Sequence, residues 1–169
     1  MVKAILLVPL ALLTTFASAA NICAYSSRGC GGNYVCCNSI SAGKCCYWSN
    51  GAYGWAVGLA SMSYHYWGGV YHDNQCSVEA GGVEASAGTS KCLSVGSGAS
   101  SHWWSSNWVM ASRQAAPVEK SECLTPNVLG YTWSNKQYQV DVPQGQYENL
   151  TKLLDAEDFQ TLNALAYEV

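Results

Sequence analysis

Charge is scarce in this sequence: 11% of its 169 residues are Asp, Glu, Lys or Arg, and the net charge is −3. With only eight Lys and Arg it has no concentrated positive patch to neutralise phosphates, which excludes a nucleic-acid binder. Aliphatic side chains are scarce as well. Beyond residue 19 there are nine Leu, two Ile and twelve Val, with a single Phe. Apolar runs are confined to the first 19 residues, and the stretch at 4–13 is too short for a bilayer, so no membrane span is expected. There is no C-x-x-C pair, which removes the main support for zinc-ribbon and thioredoxin-like folds. G-x-S-x-G, H-E-x-x-H and phosphate-cradling glycine loops are all missing, so neither an enzyme nor a cofactor is expected.

What is present begins with a leader. Lys3 supplies a positive start, residues 4–13 an apolar stretch and Ala17-Ser18-Ala19 a small-residue cleavage site. Residues 1–19 therefore read as a signal peptide, and the protein as secreted and extracellular. Removal leaves seven basic against eleven acidic residues, a net charge of −4. A chain so poor in aliphatics would ordinarily be disordered. Seven Trp and eleven Tyr argue otherwise, since disordered chains lack aromatics. The core must then rest on rings and disulfides, each bridge contributing about 2–4 kcal/mol in an oxidising compartment.

Composition divides the chain near Ala115-Ala116-Pro117. Residues 20–116 form a cysteine-rich Gly/Ser/aromatic β domain, and 117–169 an acidic segment. Residues 20–118 carry a charge of +1 and residues 119–169 a charge of −5. Trp55, Val57 and Leu59 alternate with small residues and predict a strand. Gly68-Gly69, between two aromatic runs, predicts a hairpin loop. Further strands are expected at 92–96 and 103–111. Tyr138, Val140 and Val142 predict a half-buried strand ended by Pro143. Leu150, Leu153 and Leu154 keep helical spacing, and Asp155 is the expected cap of a second short helix whose apolar face runs through Phe159, Leu162 and Leu165. The expected fold is mainly β: a small disulfide-stabilised β domain with a C-terminal strand and two short helices.

The cysteines are Cys23, Cys30, Cys36, Cys37, Cys45, Cys46, Cys76, Cys92 and Cys123. Adjacent cysteines do not easily bond each other, so each doublet should reach two separate places. The eight before residue 93 can close four bridges in 105 ways. Cys123 is then left over. Either it bridges to a second chain as a disulfide-linked homodimer, or it pairs internally and another cysteine is spare.

The spacing of Cys23, Cys30 and the Cys36-Cys37 doublet resembles the start of knottin-type toxins and inhibitors. Cys30-Gly31-Gly32 followed by Cys36-Cys37-Asn38 is similar to hevein-like chitin-binding modules. More broadly, the leader, the doublets at 36–37 and 45–46, the strand from Gly54-Trp55 and the segment Lys91-Cys92-Leu93-Ser94 resemble small cysteine-rich secreted proteins of filamentous fungi. That resemblance spans roughly residues 1–110 by pattern, and it implies a secreted non-enzyme.

Candidate sites follow. A Gly68-Gly69 loop would set His65 opposite His72, placing two imidazoles within reach of one metal, with His102 or Asp73 as a third ligand by type. Trp55, Trp67 and Trp108 are candidates for an exposed ligand-binding patch. Glu79 and Glu84 are the carboxylates that could serve a hydrolase. Asn149-Leu150-Thr151 is a glycosylation sequon. The expected function is a secreted, non-catalytic interaction protein of effector or toxin-like type, binding an extracellular protein or glycan. A carbohydrate-binding module is the alternative, and a small secreted hydrolase the third reading.

Overall fold

A computed structural model of the chain describes residues 19–113 and 122–169. Residues 1–18 of the expected leader, and the composition seam at 115–117, lie outside the described residues. No described helix is long and apolar enough to cross a membrane.

Among the described residues, eleven strands and two α-helices follow in chain order: β1 Ala19–Ser27, β2 Gly31–Ser41, β3 Cys45–Tyr47, β4 Ala56–Ala60, β5 Tyr66–Tyr71, β6 Glu79–Ala85, β7 Lys91–Ser94, β8 Ser105–Met110, β9 Val128–Trp133, β10 Lys136–Asp141, α1 Tyr147–Asp155, α2 Phe159–Asn163 and β11 Tyr167–Glu168. They build two antiparallel sheets, as the mainly β expectation required. The larger has seven strands in the order β11-β10-β9-β2-β1-β4-β7, and the smaller has four in the order β3-β8-β5-β6. The acidic C-terminal segment is part of the larger sheet, because β9 pairs with β2 through Tyr34–Gly130, Val35–Leu129 and Cys36–Val128.

Strand alternation sorts the faces. Ile22 and Ala24 of β1, Val35 of β2, Val57 and Leu59 of β4, Leu129 and Tyr131 of β9 and Val140 of β10 are buried on the inner face of the larger sheet. Tyr66 and Val70 of β5 and Trp108 of β8 meet them from the smaller sheet. The contact between layers is close: a Cβ on Gly68 would lie 2.3 Å from Leu59 Cδ1. Leu150 and Leu154 of α1 and Leu162 of α2 extend this core. Phe159 stacks on Tyr131 with ring centroids 5.1 Å apart. Aromatic rings thus occupy much of the volume that aliphatic layers would otherwise fill, and Trp48, Trp108, Tyr53 and Tyr66 are all fully enclosed.

Three expectations are corrected. Gly68-Gly69 is not a loop but the middle of β5, paired on both sides: Gly68 with Val83 and Trp108, Gly69 with Gly82 and Asn107. These glycines admit Leu59 on one face and the Trp67 indole on the other, the close approach that glycine in a strand interior often marks. The cap of α2 is Asp158, which accepts a hydrogen bond from the Thr161 N–H, rather than Asp155. Asp155 ends α1 and instead accepts from Asn50 Nδ2 and the Tyr53 hydroxyl. Leu165, expected on the apolar face of α2, is 59% exposed, because α2 ends at Asn163.

Disulfides lace the sheets together. Cys23–Cys36 joins β1 to β2, Cys37–Cys46 joins β2 to β3, and Cys30–Cys92 ties the β1–β2 turn to β7. Each doublet reaches two separate places. Cys45 lies within disulfide reach of both Cys76 and Cys123, two pairings of which its sulfur can make one at a time. So dense a network is consistent with an extracellular protein.

Candidate binding face

The outer face of the larger sheet carries what the inner face does not. Asn21, Cys23 and Tyr25 alternate with Ile22 and Ala24 along β1, and Tyr34, Cys36 and Asn38 do so along β2. Tyr25 and Tyr34 are cross-strand partners whose ring centroids lie 5.3 Å apart at a tilt of 41°.

Glycine lets both rings lie down on the sheet. A Cβ on Gly130 would fall 1.9 Å from Tyr34 Cζ, so the Tyr34 ring occupies the place of that missing side chain. On the opposite side, a Cβ on Gly58 would come within 3.0 Å of Tyr25 Cε2. The rings therefore spread sideways over β9 and β4 instead of standing off the surface.

Polar groups frame the rings. Gln139 Nε2 of β10 donates to the Tyr34 hydroxyl oxygen at 2.8 Å, and the Tyr167 hydroxyl of β11 donates to Gln139 Oε1 at 3.2 Å. Since Tyr34 oxygen accepts from Gln139, its own O–H is directed elsewhere. Burial, and secondarily the neighbouring Tyr34, pushes the Tyr25 hydroxyl above the ordinary tyrosine range, so it remains a neutral donor at physiological pH. Tyr25 forms a ridge between two grooves. One is lined by Asn21, Tyr34, Asn38, Thr132, Gln137 and Gln139, and the other by Gly58, Ala60, Ser90, Lys91 and Cys92. The first contains no charged side chain and the second only Lys91. The Cys23–Cys36 and Cys30–Cys92 bridges lie in the floor, stiffening it.

The residues singled out from sequence are dispersed. Trp108 is wholly buried, its indole N–H donating to the Ile40 carbonyl at 3.0 Å, so it offers no face to a ligand. Trp67 is half-buried on the outer face of the smaller sheet, lying over Gly69 and Gly82. Trp55 sits elsewhere, beneath the Arg28 guanidinium at 5.0 Å and against His102 at 5.6 Å. These three tryptophans do not form one patch.

His65 and His72 flank opposite ends of β5, about 23 Å apart at roughly 3.3 Å per residue, so they cannot share a metal. His65 instead lies 3.2 Å from the Glu84 carboxylate. Asp73 caps the Ser77 and Val78 N–H groups, and His102 packs on Trp104, with burial lowering its pKa. Glu79 and Glu84 lie on one strand about 16 Å apart by the same rise, beyond the roughly 5–9.5 Å of hydrolytic carboxylate pairs. Asn149 is exposed on α1. Among the described residues, the group with a metal-ligand arrangement is Cys45, Cys76 and Cys123.

Tyr25, Tyr34 and Gln139 were not singled out from sequence. The alternation of Asn21, Cys23 and Tyr25 about Ile22 and Ala24 was a readable signal. Cys23 and Cys36 in the same stretch carry a stronger local signal, that of disulfide spacing.

A two-sheet antiparallel fold laced by disulfides, with an open aromatic outer face, defines a cysteine-rich β domain. More particularly, a family model described as an N-terminal domain, ARB_05566_N, matches residues 21–127, and the chain belongs to that fungal-type family. No curated protein and no solved structure matches the chain. Tyr25 and Tyr34 fall within the family segment, whereas Gly130, Gln139 and Tyr167 lie beyond it.

Proposed function

We propose that this protein is secreted, that it acts by binding rather than catalysis, and that the Tyr25–Tyr34 face holds a neutral glycan chain. The observation that carries this reading is the pair of tyrosine rings laid over Gly58 and Gly130 and edged by uncharged amides. A pyranose ring has an apolar C–H face and a rim of hydroxyls. The first stacks on a flat aromatic surface, and the second exchanges hydrogen bonds with Asn, Gln and Tyr groups. A nearly charge-free groove disfavours phosphate- or carboxylate-bearing ligands, which would demand basic partners. The leader-like residues 1–19 and the disulfide network support an extracellular setting.

The test is retention on insoluble chitin, cellulose, β-glucan and mannan, followed by affinity measurements on a soluble oligomer of whichever glycan retains the protein. Tyr25→Ala and Tyr34→Ala should each weaken binding about tenfold, equivalent to about 1.4 kcal/mol. Unchanged retention of the double variant, or no retention of the wild type on any of the four, would overturn the reading.

A further inference from the structure

Three sulfurs converge on the outer face of the smaller sheet, more than one disulfide can use. Cys45 opens β3, Cys76 lies in the loop between β5 and β6, and Cys123 precedes Leu124, which bridges to Cys46. The three Sγ atoms all lie within 4.8 Å of one another. The Cα of Cys45 is 6.0 Å from that of Cys76 and 4.6 Å from that of Cys123. Both separations fall within the roughly 4.4–6.8 Å that a disulfide spans. Sulfur in a disulfide is divalent, so Cys45 can bond only one of them at a time. The other six cysteines pair off as Cys23–Cys36, Cys30–Cys92 and Cys37–Cys46, so the sulfur left over from nine belongs to this group.

Backbone contacts hold all three sulfurs in place. The Leu124 N–H donates to the Cys45 carbonyl at 2.7 Å, and the Tyr47 N–H to the Leu124 carbonyl at 2.9 Å, aligning the Cys123 segment with β3. The Cys76 N–H donates to Ser105 Oγ at 3.2 Å, and the Ser105 hydroxyl donates to the Asp73 carbonyl at 2.6 Å, anchoring the second loop. Cys123 Sγ lies 3.1 Å from the Asn74 carbonyl, to which its S–H donates when it is the thiol. Trp67 and Tyr71 pack around the group.

We propose that Cys45, Cys76 and Cys123 form a thiol–disulfide exchange site, with one disulfide on Cys45 passing between the other two. Starting from Cys45–Cys76, the Cys123 thiolate attacks Cys45 Sγ. The Cys45–Cys123 bond forms and the Cys45–Cys76 bond breaks. The bonding pair leaves on the Cys76 sulfur, which takes up a proton equivalent to the one Cys123 lost. One thiol and one disulfide are present before and after, so no oxidant or reductant is consumed.

Exchange changes how the chain is tethered. Cys123 is the only cysteine after residue 92, so of the two proposed states only Cys45–Cys123 cross-links residues 93–169 to the rest of the chain. In the other state, that C-terminal part is held by the sheet and core alone. The leftover thiol also moves, between half-buried Cys123 and buried Cys76.

Non-reducing peptide mapping tests this. Wild-type protein is acid-quenched to stop exchange, unfolded, alkylated with N-ethylmaleimide and digested. The expected result is one label per chain, divided between Cys76 and Cys123, with Cys45 unlabelled. Cys76→Ser should carry Cys45–Cys123, and Cys123→Ser should carry Cys45–Cys76, each with no thiol. Label on only one of the two sites would overturn the proposal, as would label on Cys45 or a Cys123-linked dimer. Three labelled cysteines, the signature of a reduced three-thiolate metal site, would overturn it too. The wild-type map decides the question even if a variant fails to fold.

Discussion

The outer faces of the two sheets share one building device and differ in chemistry. On the larger sheet, tyrosine rings lie over Gly58 and Gly130, surrounded by Asn, Gln and Thr. On the smaller sheet, the Trp67 ring lies over Gly69 and Gly82 and adjoins Tyr71 and the three-sulfur group. In both cases, a missing Cβ lets a ring lie flat on the backbone. The difference is in what surrounds the ring. Amides and hydroxyls leave the first face wettable and open, whereas the loops carrying Cys76 and Cys123 pack against the second. A flat ring can thus serve as a surface for a ligand or as a floor under a reactive group, depending on what its neighbours leave exposed.

That contrast can be broken by substitution. The largest effect should come from neither outer face but from the layer between the sheets. Trp108→Ala removes a fully buried ring and its hydrogen bond to Ile40, and should cost about 3–5 kcal/mol of unfolding free energy by chemical denaturation. Trp67→Ala, on the outer face, should cost clearly less; an equal loss would mean that Trp67 is as much a core residue as Trp108. Next comes Gly68→Ala, which drives a methyl into Leu59 and should destabilise by about 1–3 kcal/mol through overpacking.

Alkaline pH gives a graded measure of the buried tyrosines. Burial, offset in part by the Asn107 hydrogen bond and reinforced by Glu79 and Asp73, pushes Tyr71 up to about 12. Burial and the nearby Asp155 carboxylate push Tyr53 and Tyr147 still higher. Their neutral forms are favoured by folding, so this stability is complete below the unfolded tyrosine value of 10.0 and is lost as pH rises toward and through about 12. Denaturant midpoints should hold up to pH about 10 and then fall. Absorbance at the phenolate band should show tyrosines that titrate only as the fold is lost. A midpoint that falls at lower pH would contradict this account.

The smallest stability effect and the sharpest functional one should coincide in Gly130→Ala. The added methyl meets the Tyr34 ring, which sits at the end of a side chain and can swing outward. Glycan affinity should fall at least as far as in Tyr34→Ala, with a change in melting temperature smaller than that of Gly68→Ala. The reverse order would show that the Tyr34 platform is structural.

The strands around Val57 and Leu59 and around Tyr138 and Val140 were legible because period-two alternation is a local property of the chain. The Gly68-Gly69 pair misled because the same two letters serve a hairpin loop and a crowded central strand. The choice depends on Leu59 and Trp67 approaching from opposite faces. Separating His65 from His72, and dispersing Trp55, Trp67 and Trp108, follows from that one difference in topology and from β8 entering the core. The Tyr25–Tyr34 face was not legible for a related reason. Tyr34 meets Gly130 only because β2 and β9 are neighbours across almost a hundred residues of sequence.

The nine cysteines divide the same way. Their odd number is a property of composition, and by itself it establishes that at least one of these nine sulfurs has no disulfide partner among the others. Which sulfur that is cannot be counted, because it depends on distances. Only the folded chain brings residues 45, 76 and 123 within bonding reach of one another, so the unpaired thiol belongs to a site of three rather than to Cys123 alone.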